Sequence, residues 1–312
     1  MKFYRLIKKI LRLIVRIISN TNLFISFLER IKSRTVDLSI DPCNKNVLSK
    51  IIPIFSRYNS NKRVVIKNTN FDIGKVFKMN LNINEFTQCG YFFGNFDYAL
   101  ISILKRKGGI FIDIGSNVGL YSLAASHFFD KVLSFEPSYY TYSMLEKNVS
   151  INNIKNITLF RNALSDFEGE VELFVNPLNN GGSSISGHST KLRLEHKNLD
   201  WHNSEKVLTK KLDCVLDGIS QSIDFIKIDV EGHEIEVIKG GIKNIVKHLP
   251  LLYVEISGDI DRYYKVLDLL PDEYSSYAHT DEKHNTKKFP SDLLFATTSK
   301  AQNLKDFYEY RP

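Results

Sequence analysis

Three segments gather residue types that can do chemistry. In FIDIGSNVGLYS, residues 111–122, Asp113 stands near the end of an apolar run, followed by a tight turn holding Gly115, Asn117 and Gly119, then a helical pattern. Glycines let a backbone turn sharply and approach a ligand with no Cβ in the way. In VLSFEPS, residues 132–138, Glu136 stands at the tip of the next strand, 23 residues after Asp113. A carboxylate at that offset accepts hydrogen bonds from both hydroxyls of a ribose. In IDFIKIDVEGHE, residues 223–234, Asp229, Glu231, His233 and Glu234 crowd the carboxyl end of a buried strand, where open α/β sheets bind their ligands. His233, with an ordinary pKa near ~6.5, suits the removal of a proton from an acceptor hydroxyl. Asp229 or Glu231 would orient it or contact a cofactor's amino-acid group. The acids equally suit a divalent cation, and a helix-capping or surface role for His233 stands beside the catalytic one.

The elements that must position these residues are legible from periodicity. Apolar strands are expected at 110–114, 131–135, 157–160, 223–228, 251–255 and 292–297, with a further strand at 170–175. Helices are expected at 120–129, 143–153, 234–247 and 260–269. Strands alternating with helices predict an α/β domain, a mostly parallel sheet with helices on both faces. The polar run 176–189 reads as a loop. Ahead of the sheet, short strands are expected at 63–66 and 75–81 and a helix at 96–106. The division expected is an amphipathic basic helix at 1–19, an N-terminal extension or cap at 20–107, and a catalytic domain at 108–312.

Charge narrows the partners. The net charge is +7, but Lys2, Arg5, Lys8, Lys9, Arg12 and Arg16 supply six of it without a single acid, leaving +1 for the remainder. A nearly neutral body argues against a nucleic-acid partner, as does the absence of an Asn/Asp-Pro-Pro-aromatic motif after the fourth strand. Residues 3–18 set apolar and basic residues on opposed helical faces. The basic residues interrupt every apolar run, so the segment is too broken to span a bilayer. It suits either the surface of an anionic membrane or packing against protein, and both readings stay open. Cys43, Cys89 and Cys214 are widely separated, which fits reduced thiols in a cytoplasmic protein. No metal ligands are assigned.

The segment from about 109 to 256 resembles the FkbM-type methyltransferases through FIDIGSNVGLYS, the FEP tripeptide at 135–137, RNALSD at 161–166 and IKIDVEGHE at 226–234. The resemblance implies a seven-stranded Rossmann-like sheet and S-adenosylmethionine as cofactor. It places Asp113, Gly115, Asn117 and Gly119 beside the methionine part, Glu136 on the ribose, and Asn162 and Ala163 beside the adenine, with Asp166 near them. It also implies O-methylation, often of a sugar hydroxyl, with a glycan or glycolipid as acceptor; peripheral contact at the inner membrane face through residues 1–19 is an expectation of their basic amphipathic pattern alone. Two rivals make different demands. An NAD-dependent oxidoreductase calls for a second fingerprint glycine where Asn117 stands. A non-catalytic module on the same fold calls for ruined cofactor residues, whereas Asp113, Gly115, Gly119 and Glu136 are all present.

Overall fold

The computed structural model describes residues 64–70, 75–82, 85–93, 96–176, 180–185, 204–280, 289–302 and 304–312. The basic segment 1–19 and all of 20–63 lie outside the described residues. Two compact units are present, and the larger takes in 97–177 and 182–312. In the smaller, strands β1 (Val64–Asn70) and β2 (Val76–Asn82) pair as a two-stranded sheet, followed by helix α1 (Phe86–Phe93). Alternation along β2 buries Phe77, Met79 and Leu81, as a half-buried strand requires.

The larger unit opens with α2 (Tyr98–Leu104), capped by Asp97, whose carboxylate accepts the Leu100 N–H. It continues through β3 (Gly108–Ile114), α3 (Leu120–Ala125), β4 (Phe129–Phe135), α4 (Tyr139–Ile151) and β5 (Ile157–Phe160). Next come β6 (Ala163–Leu164), β7 (Gly169–Phe174), β8 (Ser204–Lys210) and α5 (Leu212–Val215). The chain then forms β9 (Ile223–Ile228), α6 (Glu234–His248), β10 (Leu251–Glu255), α7 (Ile260–Leu269), β11 (Tyr274–His279), β12 (Asp292–Thr297), α8 (Thr298–Ala301) and β13 (Phe307–Glu309).

Eight strands form one sheet in the order β13-β11-β12-β10-β9-β3-β4-β5. The segment from β5 through β3 to β10 is parallel, while β12 runs antiparallel to both β10 and β11. β13, antiparallel to β11, is an eighth strand beyond the seven expected. From β3 the chain moves outward through β4 to β5, then returns to the other side of β3 for β9 and β10. Right-handed crossovers in opposite directions place their helices on opposite faces. They also make the β3/β9 boundary the topological switch point, where a crevice opens beyond the strand ends.

The parallel strands are nearly continuous apolar runs because both faces are covered. Ile110, Ile112, Ile114, Leu133, Phe135, Ile226, Ile228 and Val254 are buried in one core with Val237, Ile238 and Ile245 of α6. Each such side chain contributes about 1.5–3 kcal/mol relative to exposure. The helix expected at 120–129 stops at Ala125, because β4 starts at Phe129 and the chain needs the intervening residues to turn back. The strand expected at 170–175 lies outside the main sheet. As β7 it pairs antiparallel with β8, which also carries β6, around a small core of Ala163, Leu173 and Val207.

Candidate active site

The carboxyl ends of β3, β4 and β9 bring most of the chemistry-bearing residues together. After β3 the chain makes a turn in which Gly115 (φ +76°), Asn117 (φ +51°) and Gly119 (φ +88°) all adopt left-handed backbone. At residue 115 no other side chain fits, since a Cβ would lie 1.8 Å from the Asp229 carbonyl oxygen. The close approach of the β3 and β9 ends therefore depends on this glycine.

Glu136 follows β4, and its carboxylate reaches back to that turn. One oxygen accepts the Asn117 N–H at 2.9 Å and the other the Ser138 N–H at 3.1 Å. Each oxygen keeps a further lone pair, so the group remains able to receive a diol. Burial raises the Glu136 pKa to about 7 against the lowering effect of those two N–H groups and of Lys227.

Asp113 is fully buried, and its Oδ2 accepts the Ser122 hydroxyl at 2.5 Å. Across the switch point stands Lys227, a buried lysine next to the last residue of β9. Its Nζ lies 3.2 Å from Asp229 Oδ2 and 3.6 Å from Asp113 Oδ1, and it donates to the Gly115 carbonyl at 3.2 Å. Burial acts to lower the lysine's pKa, but the Asp229 and Asp113 carboxylates outweigh it and the net shift is upward.

Asp229, Glu231 and Glu255 each bring a carboxylate oxygen to within 4.8 Å of the others. Glu231 holds left-handed backbone (φ +56°), with its carbonyl accepting the Ser184 hydroxyl at 2.8 Å. The loop carrying it is fixed by Glu234, which accepts the Gly232 N–H at 2.9 Å and pairs with Arg262 at 3.2 Å. Burial first, and then the Asp229 charge, pushes the pKa of both Glu231 and Glu255 upward. Among the described residues, Asn117 Oδ1 and Glu255 Oε2 are buried without a hydrogen-bond partner. Orphaned acceptors on both sides of the crevice, a diol-ready carboxylate and a turn free of side-chain bulk fit a polar nucleoside ligand.

The remaining expected residues have partners on neighbouring elements. His233 directly precedes α6 and is buried, with Nε2 2.9 Å from the Ser165 hydroxyl and Nδ1 3.5 Å from Glu236. Its ring therefore engages the residue that follows β6 and its own helix, and burial lowers its pKa against the pull of Glu236. Ala163 is buried in β6, opposite Thr209 of β8, and Asn162 reaches the Leu208 carbonyl at 3.4 Å. Sequence reasoning missed Lys227, whose signal was a lone cation inside an apolar strand. It also missed Glu255 and Asp292, aligned by the β10–β12 register, and Asp97, which accepts the Tyr253 hydroxyl.

A Rossmann-like sheet with a glycine turn after its first parallel strand and a ribose-ready acid after the second defines a nucleoside-cofactor enzyme class. The match that narrows it is to the methyltransferase FkbM domain, over residues 113–279. The chain belongs to that family, and S-adenosylmethionine is its methyl donor. It is 29% identical over 159 residues to the methyltransferase sdnD of Sordaria araneosa, covering 41% of this chain and 59% of that one. To the 2-O-methyltransferase NoeI of Sinorhizobium fredii it is 28% identical over 189 residues, covering 55% and 75%. To the hexuronic acid methyltransferase AglP of Haloferax volcanii it is 28% identical over 150 residues, covering 48% and 56%. The chain thus spans little more than half the length of two of these relatives. A crystal structure of methyltransferase FkbM from Methylobacillus flagellatus aligns at 19% identity and a TM-score of 0.40, over 61% of this chain and 43% of that one. No helix among the described residues is long and apolar enough to cross a membrane.

Proposed function

We propose that residues 108–312 transfer a methyl group from S-adenosylmethionine to a hydroxyl of a sugar, glycan or glycolipid. The observation that carries this reading is Glu136, turned into the Asn117 N–H of the β3 turn with lone pairs left for a ribose. The names of NoeI and AglP, a 2-O-methyltransferase and a hexuronic acid methyltransferase, support oxygen as the target and a sugar as the acceptor.

Bound there, S-adenosylmethionine supplies a methyl group on a cationic sulfur, so that an acceptor oxygen forms its bond to carbon as the carbon–sulfur bond breaks, the electron pair staying on sulfur. Glu136 would grip the ribose, and Asp113, Gly115, Asn117 and Gly119 would frame the methionine part. Asn162 and Ala163 would flank the adenine. Fixing the reacting atoms in near-attack geometry is the main task, contributing several kcal/mol and about 7–11 at best. The acceptor hydroxyl must lose its proton as the new bond forms, and His233, Asp229 and Glu231 are the groups assigned to it. Of these, Glu231 is best suited, because its raised pKa brings a carboxylate toward neutrality.

The test is calorimetric titration of the full chain with S-adenosylhomocysteine and, separately, NADH, followed by transfer of labelled methyl to neutral and uronic-acid glycans. Binding of the thioether nucleoside with label in a glycan is expected. NADH binding in its place points to an oxidoreductase, and cofactor binding with no transfer to any hydroxyl acceptor points to a non-catalytic module.

A further inference from the structure

One buried cation joins the turn after β3 to the acids after β9. The Lys227 ammonium contacts Asp113, Asp229 and the Gly115 carbonyl together, its side chain only 4% exposed. The Tyr121 ring lies 5.5 Å away. Removing an ammonium from water to this degree costs several kcal/mol unless it is well paired. An apolar side chain would suit the same sheet face, as the buried Phe225 does two positions earlier in the strand. A packing role alone leaves the charge unexplained.

We propose that Lys227 is a positioning residue that holds Asp113 and Asp229 at the sulfonium end of the donor and cancels part of their charge. The proposal rests on the methyltransferase reading above. Methyl transfer discharges the sulfonium to a neutral thioether. Uncompensated carboxylates beside the sulfur would stabilise the charged ground state more than a transition state in which that charge is dispersing, which raises the barrier. A lysine tying the two carboxylates together narrows that difference and keeps both strand ends in register with the turn.

The test compares affinities for the cationic donor and its neutral product by calorimetry, on variants whose melting is checked first. Lys227→Met is expected to raise the ratio of the S-adenosylhomocysteine Kd to the S-adenosylmethionine Kd about tenfold, and Lys227→Arg to leave it within about twofold. Asp229→Asn, at a side chain 42% exposed, is expected to move the ratio the other way, and it serves even where Lys227→Met does not fold. A purely structural role weakens both ligands equally, so an unmoved ratio in Asp229→Asn and in any folded Lys227→Met overturns the proposal. Failure of the unaltered chain to bind either ligand is a separate result, and it removes the methyltransferase reading together with this one.

Discussion

Glu136 shows how one side chain ties the β3 turn to the β4 end. Replacing it with alanine removes two charge-assisted hydrogen bonds to backbone and, on the proposed reading, two to ribose. At about 1.5–3 kcal/mol for a bond to a charged group, S-adenosylhomocysteine affinity should fall at least tenfold in calorimetry while a cooperative melt persists. Unchanged affinity would remove the ribose assignment. The raised pKa gives this residue a pH signature. For stability, an acid raised from 4.5 to about 7 on folding contributes fully below 4.5, and the contribution is lost as pH rises through about 7. Ribose binding follows the opposite course, because a carboxylate accepts from both hydroxyls and a protonated acid does not. Affinity measured between about pH 6 and 8 should rise close to tenfold with a midpoint near 7, and a flat profile would contradict the assignment. Glu136 was legible because its offset from Asp113 is local, set by one helix between two strands. Lys227 was harder to see: its partners Asp113 and Gly115 lie more than a hundred residues away. His233 shares a short motif with Asp229 and Glu231, yet the first turn of α6 rotates its ring toward Ser165. Adjacency in sequence does not fix direction across a helix start.

At the scale of elements, the β3 turn and the packing of α6 are the tightest joints. Gly115→Ala would drive a Cβ into the Asp229 carbonyl at a left-handed backbone position. A loss of about 2–4 kcal/mol is expected, from strain and separation of the strand ends. Its melting temperature should drop by several degrees or more, and a melt equal to the parent's would show that the two ends do not press together. The parallel strands were legible because burial on both faces leaves uninterrupted apolar runs. β8 and β11 were not identified from sequence. β8 alternates exposed and buried positions beside a small separate core, and its partner β7 lies across a long intervening segment. The pairing of Glu255 with Asp292 is likewise set by the β10–β12 register, which no local pattern announces.

Across the whole chain, charge and chemistry are separated. The six basic residues within 1–16 carry almost all of the surplus, whereas the strand-end crevice gathers acids around Lys227. We propose that the basic segment holds the protein at an anionic cytoplasmic membrane face, bringing it to glycolipid acceptors. Removing residues 2–19 should abolish co-sedimentation with vesicles rich in phosphatidylglycerol while leaving S-adenosylhomocysteine affinity within about twofold, since the segment carries none of the proposed cofactor contacts. Vesicle binding that survives the deletion would dismiss this attachment. The parallel-sheet architecture was readable at this scale from alternation alone, but the eighth strand was not, because three residues of β13 are too few for any periodicity to register.

Glu231 occupies a backbone conformation that glycine adopts more comfortably, next to two other acids. The chain therefore keeps a carboxylate where both steric and electrostatic terms oppose it. Glu231→Gly should melt at a higher temperature than the parent, by the equivalent of about 1 kcal/mol, while losing methyl transfer. A lower melting temperature would mean the carboxylate serves the architecture instead. Stability gained by removing a side chain would mark a position shaped by what the protein handles and not by how it folds.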